Sequence, residues 1–171
     1  TVSNDANACN AAVTVPAPAV SDECGIASIV NNFNGTANAS GTYPVGTTTV
    51  IYTVTDIHGN VSTCTFTVSV IDDEAPELTC PANITVSNDA NACNAAVTVP
   101  APAVSDECGI ASIVNNFNGT ANASGTYPVG TTTVIYTVTD IHGNVSTCTF
   151  TVTVIDDEAP ELTCPANITV S

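Results

Sequence analysis

The chain has 171 residues, 16 acidic side chains and no Lys or Arg, giving a formal net charge of −16 alongside 44% hydrophobic residues and eight cysteines. Without a cationic side chain it cannot neutralise phosphates or dock electrostatically on an anionic membrane, and it has no lysine for Schiff-base or isopeptide chemistry, so nucleic-acid binding and those reactions are excluded. The apolar fraction is that of a globular chain, no run of 18 apolar residues offers a membrane span, and no leader opens the sequence, so a mature, soluble chain is expected.

The organising feature is a repeat. Thr1-Val2-Ser3-Asn4-Asp5 returns as Thr85-Val86-Ser87-Asn88-Asp89, a period of 84 residues, and Ser69 against Thr153 is the one mismatch. That period suits a small autonomous domain better than a stacked solenoid unit. The expected organisation is residues 1–73 as one repeat lacking the start of its first strand, 77–157 as a complete repeat, and 158–171 as the first strand of a third.

Within the complete repeat the apolar period is two. In chain order, Leu78, Cys80, Ile84 and Val86 share one face, then Cys93, Ala95, Val97 and Val99, then Val134, Tyr136 and Val138, then Cys148, Phe150, Val152 and Val154. Pro100 and Pro102, a turn at Tyr127-Pro128-Val129-Gly130 and a tight turn at His142-Gly143-Asn144 separate them. Short alternating strands with frequent turns predict an all-β fold of tandem immunoglobulin-like antiparallel β-sandwich domains, with no helix.

Each repeat carries four cysteines, which allow three pairings. Alternation points Cys80 and Cys148 inward from the first and last strands and favours Cys80–Cys148 with Cys93–Cys108, the latter repeated as Cys9–Cys24. Zinc would call for CxxC-type spacing with neighbouring histidines, which the sequence lacks. Disulfides imply an oxidising, extracytoplasmic compartment. Cys64 and Cys164 are left over as complementary orphans. Either the chain belongs to a longer array, or residues 161–171 of one molecule complete the first repeat of the next.

Leu78-Thr-Cys-Pro-Ala-Asn-Ile-Thr-Val86 and Ser105-Asp-Glu-Cys-Gly109 resemble the opening of a hyalin repeat (HYR) domain. Tyr127-Pro-Val-Gly-Thr-Thr-Thr-Val-Ile-Tyr-Thr-Val-Thr-Asp-Ile-His-Gly-Asn144, with Cys148-Thr-Phe-Thr-Val152, resembles its second half. The resemblance implies an immunoglobulin-like extracellular module of matrix proteins or giant surface adhesins, with adhesion or scaffolding rather than catalysis as its role. The family's first and last cysteines correspond to Cys80 and Cys148. The lack of Lys and Arg departs from a generic member and fits a specialised filament.

In a sandwich of this kind the incoming linker, the loop after the second strand and the last hairpin meet at one pole. Asp72, Asp73, Glu74 and Glu77 lie on or beside the linker, Asp106 and Glu107 in the loop, and Asp140 before the hairpin. Carboxylates about 8 Å apart repel by roughly 2 kcal/mol at an effective dielectric near 20. A hard divalent cation is the natural partner, so calcium is expected at the domain junction, on Asp72, Asp73, Glu74, Asp106, Glu107, Asp140 and the Asn144 side chain. Asp140 and Asn144 also fit a purely structural role, closing the hairpin through Asx-type bonds.

His58 and His142, one per repeat, read as exposed turn residues, and no nucleophile elbow accompanies them, so no enzyme activity and no catalytic residue is expected. Thr131, Thr133, Thr137 and Thr139, with Thr147, Thr149, Thr151 and Thr153, predict a threonine-covered sheet face, either simply solvated or a surface for lateral bundling, ice contact or O-glycans. N-x-[ST] sequons begin at Asn34, Asn38, Asn60, Asn83, Asn118, Asn122, Asn144 and Asn167. The expected function is a structural segment of a long extracellular or cell-surface filament, stalk or adhesin, each repeat adding roughly 40 Å. Its partners would be neighbouring repeats or identical chains. The alternative is an adhesive module gripping a glycan or matrix partner through its loops or threonine face.

Overall fold

A computed structural model describes residues 1–169; Val170 and Ser171, expected within the third repeat's first strand, lie outside the described residues. The described residues form strands and turns with no helix, as the two-residue periodicity predicts. They divide into two compact units. The first holds Thr1–Glu77 with Ser105–Ala111 and Thr139–Ser146; the second holds Leu78–Val104, Ser112–Val138 and the chain from Thr147 on.

The first unit contains β1 (Val2–Ser3), β2 (Asn10–Val13), β3 (Ile26–Asn31), β4 (Gly41–Pro44), β5 (Gly46–Asp56) and β6 (Val61–Ile71). Four of them make a sheet in the order β1-β6-β5-β3, and β2 pairs with β4. The β5–β6 hairpin runs in antiparallel register from Gly46 opposite Val70 to Thr55 opposite Val61. Alternation turns Val50, Tyr52, Val68 and Val70 inward, where they meet Ala11 and Tyr43 of the smaller sheet. These are the two layers of a sandwich.

The second copy of the sequence forms β7 (Glu77–Thr79), β8 (Ile84–Ser87), β9 (Asn94–Val97), β10 (Ala103–Ser105), β11 (Ile110–Asn115), β12 (Gly125–Pro128), β13 (Gly130–Asp140) and β14 (Val145–Ile155). The sheets are β11-β13-β14-β8, β12-β9 and β10-β7. Val134, Tyr136, Phe150, Val152 and Val154 pack against Ala95, Val97 and Tyr127, with Cys80 and Cys148 at the margin. Tyr127 and Pro128 end a strand paired with β9 rather than forming an isolated turn, and Gly130, at φ 109°, passes the chain into β13.

The ladders are not antiparallel throughout, contrary to expectation. β8 runs parallel to β14, from Ile84 opposite Val152 to Ser87 opposite Ile155, and β1 runs parallel to β6 at Val2–Val70 and Ser3–Ile71. The cause is local. The Ser146 hydroxyl donates to the Pro76 carbonyl at 2.6 Å, and Cys80 is bonded to Cys148, so the first and last strands start side by side and run the same way. Glu161–Thr169, expected as a strand, forms none. A strand needs a ladder partner, and among the described residues no strand pairs with that segment.

Two further devices recur in both copies. Asn115, 4% exposed, donates to Asn118 Oδ1 and the Thr120 carbonyl and accepts from the Phe117 and Asn118 amides. Tyr127 stacks on Phe117 at a centroid distance of 4.1 Å, and its hydroxyl donates to the Ala123 carbonyl at 2.6 Å.

Candidate functional site

Asp140 ends β13 at 1% exposure. Its Oδ1 accepts from the amides of His142, Gly143 and Asn144 at 2.6–2.9 Å, and its Oδ2 accepts from Asn144 Nδ2 at 2.8 Å. Burial opposes the charge, but the bonds from the Asn144 side chain and from these amides outweigh it and hold the carboxyl below its ordinary range. Asp106 is fixed in the same manner, accepting at Oδ1 from the Cys108 and Gly109 amides. Asp72 accepts from the Glu74 amide, its carbonyl receives Asn144 Nδ2 at 3.2 Å, and its Oδ2 lies 3.0 Å from His142 Nδ1.

All these residues lie in the first unit. One carboxylate oxygen from each of Asp72, Asp106 and Asp140 falls within 4.8 Å of the other two. Like charges at that spacing repel by roughly 3 to 4 kcal/mol per pair at an effective dielectric near 20. The chain has no Lys or Arg to offset this.

Of the seven expected ligands the structure therefore gathers three carboxylates with Asn144 beside them. Asp73 and Glu74 turn elsewhere. Ser3 Oγ donates to Asp73 Oδ2 at 2.6 Å, and the Asn7 amide donates to Glu74 Oε2 at 2.9 Å, which holds the β1–β2 turn with Asn7 at φ 55°. Glu107 is exposed, and Glu77 accepts from Ser105 Oγ at 3.4 Å. Adjacent residues on an extended linker point in opposite directions, so Asp72 and Asp73 cannot face one centre. His142 is the residue sequence reasoning missed. The sequence does place it two residues past Asp140, but its contact with Asp72 spans 70 positions.

The cysteines require a larger correction. Cys80 is bonded to Cys148, as alternation favours, but Cys9 is bonded to Cys108 rather than Cys24. Cys93 therefore lacks Cys108 as a partner, and Cys24, Cys64, Cys93 and Cys164 are free and exposed. The reason is strand length. The Cys9 carbonyl accepts from the Val45 amide, just before β5, whereas the Gly25 carbonyl beside Cys24 accepts from the Ile57 amide, just after β5. The eleven residues of β5 put roughly 33 Å between those ends, against the ~6 Å a disulfide spans. Val129 bonds Cys93 and Ile141 bonds Gly109 in the same way around β13. Cys108 lies near Asp72 and His142, but as a disulfide sulfur it offers no thiolate to a metal.

The HYR domain model matches residues 3–70 and 71–154. The chain belongs to the HYR domain family. It is similar to hyalin of Strongylocentrotus purpuratus, 36% identical over 157 residues that cover 88% of this chain and 13% of that protein. It is also similar to hyalin of Lytechinus variegatus, 33% identical over 161 residues, covering 91% of this chain and 29% of that protein. The chain thus spans less than a third of either hyalin. Among solved structures it is similar to the human desmocollin-1 ectodomain at 16% identity and a TM-score of 0.29, covering 95% of this chain and 36% of that one.

Proposed function

We propose that these HYR repeats are a structural segment of a long extracellular filament, stalk or adhesin, stiffened by disulfides and by calcium bound to Asp72, Asp106 and Asp140. The observation that carries this reading is the meeting of three carboxylates within 4.8 Å in a chain without a basic side chain. The donor set is all oxygen, as a hard cation prefers, and two of its members are pre-positioned by backbone amides. With its Nδ2 engaged, Asn144 has its carbonyl oxygen left to offer. An ion there would tie the Asp72 linker to the end of β13, and the linker would lose freedom of rotation. Family membership and two disulfides support an extracellular setting.

Calorimetric titration of the chain with calcium, beside the Asp106→Asn variant, tests this. Saturable binding that the variant weakens supports it; no heat and no change in melting temperature would sink it.

A further inference from the structure

We propose that before the Cys9–Cys108 disulfide closes, its two thiolates hold a zinc ion together with His142 and Asp72, and that oxidation of the pair expels the metal. The proposal goes beyond the filament reading and shares only Asp72 with its calcium site. Disulfides form by oxidation after synthesis, so every chain passes through a state with both thiols present.

The fold supplies the cluster that sequence spacing does not. Cys108 Sγ, one carboxylate oxygen of Asp72 and one ring nitrogen of His142 lie within 4.8 Å of one another. Asp72 Oδ2 is 3.0 Å from His142 Nδ1, and the Asp72 side chain is only 1% exposed. Cys9 Sγ is the fourth donor, with its Cα 4.9 Å from that of Cys108. A tetrahedral zinc with N and O donors at about 2.0 Å and sulfurs at about 2.3 Å has edges of roughly 3.3 to 3.8 Å. The four donors need to shift by only about 1 Å, and the sulfurs part to that edge length once no bond joins them.

Each ligand is also held by bonds that do not involve the disulfide. The Val45 amide donates to the Cys9 carbonyl, and the Cys108 amide to Asp106 Oδ1. The His142 amide donates to Asp140 Oδ1, and Asn144 Nδ2 to the Asp72 carbonyl. Two thiolates and an imidazole select zinc over calcium, whereas the carboxylates of the oxidised joint suit a hard cation. Zinc therefore belongs to the thiol form and calcium to the disulfide form.

The metal also settles which cysteines pair. Cys24 lies far closer to Cys9 in sequence than Cys108, which is 99 positions away, so loop entropy favours the wrong partner in an unfolded chain. Coordination sets Cys9 and Cys108 at adjacent corners of one tetrahedron. In the oxidation, the two thiolates give two electrons to oxidised glutathione and the Cys9–Cys108 bond forms. The glutathione S–S bond breaks, two protons from solvent complete two molecules of reduced glutathione, and Zn²⁺ leaves.

The test uses the full chain carrying Cys24→Ser, Cys64→Ser, Cys93→Ser and Cys164→Ser, which removes the four free thiols. Reduced with a phosphine, it is titrated with Co²⁺ and then Zn²⁺ while circular dichroism follows the fold. The expected result is one cobalt per chain, with thiolate-to-cobalt charge transfer and tetrahedral d–d bands that zinc erases. His142→Ala should weaken binding at least about tenfold, and Cys9→Ser/Cys108→Ser should abolish the signature. Oxidised glutathione added to the zinc form should release one zinc and yield the Cys9–Cys108 peptide. No binding, binding indifferent to His142→Ala, or a signature that persists without Cys9 and Cys108 would overturn the proposal. Calcium binding by the oxidised chain with no zinc binding by the reduced one rejects this site and leaves the filament reading intact; zinc binding without calcium binding does the reverse.

Discussion

Cys9 is bonded to Cys108, 99 positions along the chain, although Cys24 of its own repeat is only 15 away. A strand stands between the nearer pair, and the covalent framework follows the strand rather than the sequence distance. Peptide mapping of the native protein should therefore recover Cys9 with Cys108 and not with Cys24. The Cys9→Ser/Cys108→Ser variant should lose up to about 4 to 5 kcal/mol, read by denaturant unfolding, because the closed loop is long.

Calcium removal should lower the melting temperature. At a free ion concentration 100 times its dissociation constant the expected stabilisation is about 2.7 kcal/mol. Thermal melts with and without chelator measure it, and Asp106→Asn should reduce the difference.

Acid should destabilise the fold through Asp56 and Asp140. Both carboxyls titrate below their ordinary range; bonds from the Asn60 side chain and amide lead at Asp56, and at Asp140 hydrogen bonds prevail over burial. A depressed folded-state value stabilises the fold fully above the unfolded value, about 3.9, and that contribution is lost as pH falls through the folded value. Melting temperature against pH should fall below about pH 4, and more shallowly in Asp56→Asn/Asp140→Asn.

Gly125→Ala should disturb the core. An added Cβ would lie 2.8 Å from Phe117 Cε1, and that ring is already stacked on Tyr127. A cost of about 1 to 3 kcal/mol is expected, with altered near-ultraviolet circular dichroism from Tyr127.

Asn115→Ala should cost about 2 to 4 kcal/mol in urea unfolding. It removes a buried side chain that both donates to and accepts from its loop, leaving the Phe117 and Asn118 amides without their acceptor.

Alternation along Val134–Val138 and Phe150–Val154 is strict, so the strands, their inward faces and the Cys80–Cys148 bridge were legible in the sequence. Asp72, Asp106 and Asp140 were expected at one pole, with four other acids, from their places in the linker, the loop and the end of the long strand, and one oxygen of each does fall within 4.8 Å of the others. Long-range direction was not. Nothing local in Ile84–Ser87 says that it pairs parallel to Val152–Ile155, and only the length of β5 shows that Cys9 and Cys24 lie apart. The Asp73 and Glu74 side chains were misassigned because the linker acids Asp72, Asp73, Glu74 and Glu77 look like one cluster in the sequence, whereas successive residues of an extended linker diverge.

The Cys80–Cys148 bridge governs how one such module bears tension. A pull on its two ends crosses from the first strand to the last through that bond, so Ile84–Ser87, inside the covalent loop, is shielded from the load. Only the residues outside the two cysteines can lengthen, and everything between them stays folded behind that rivet.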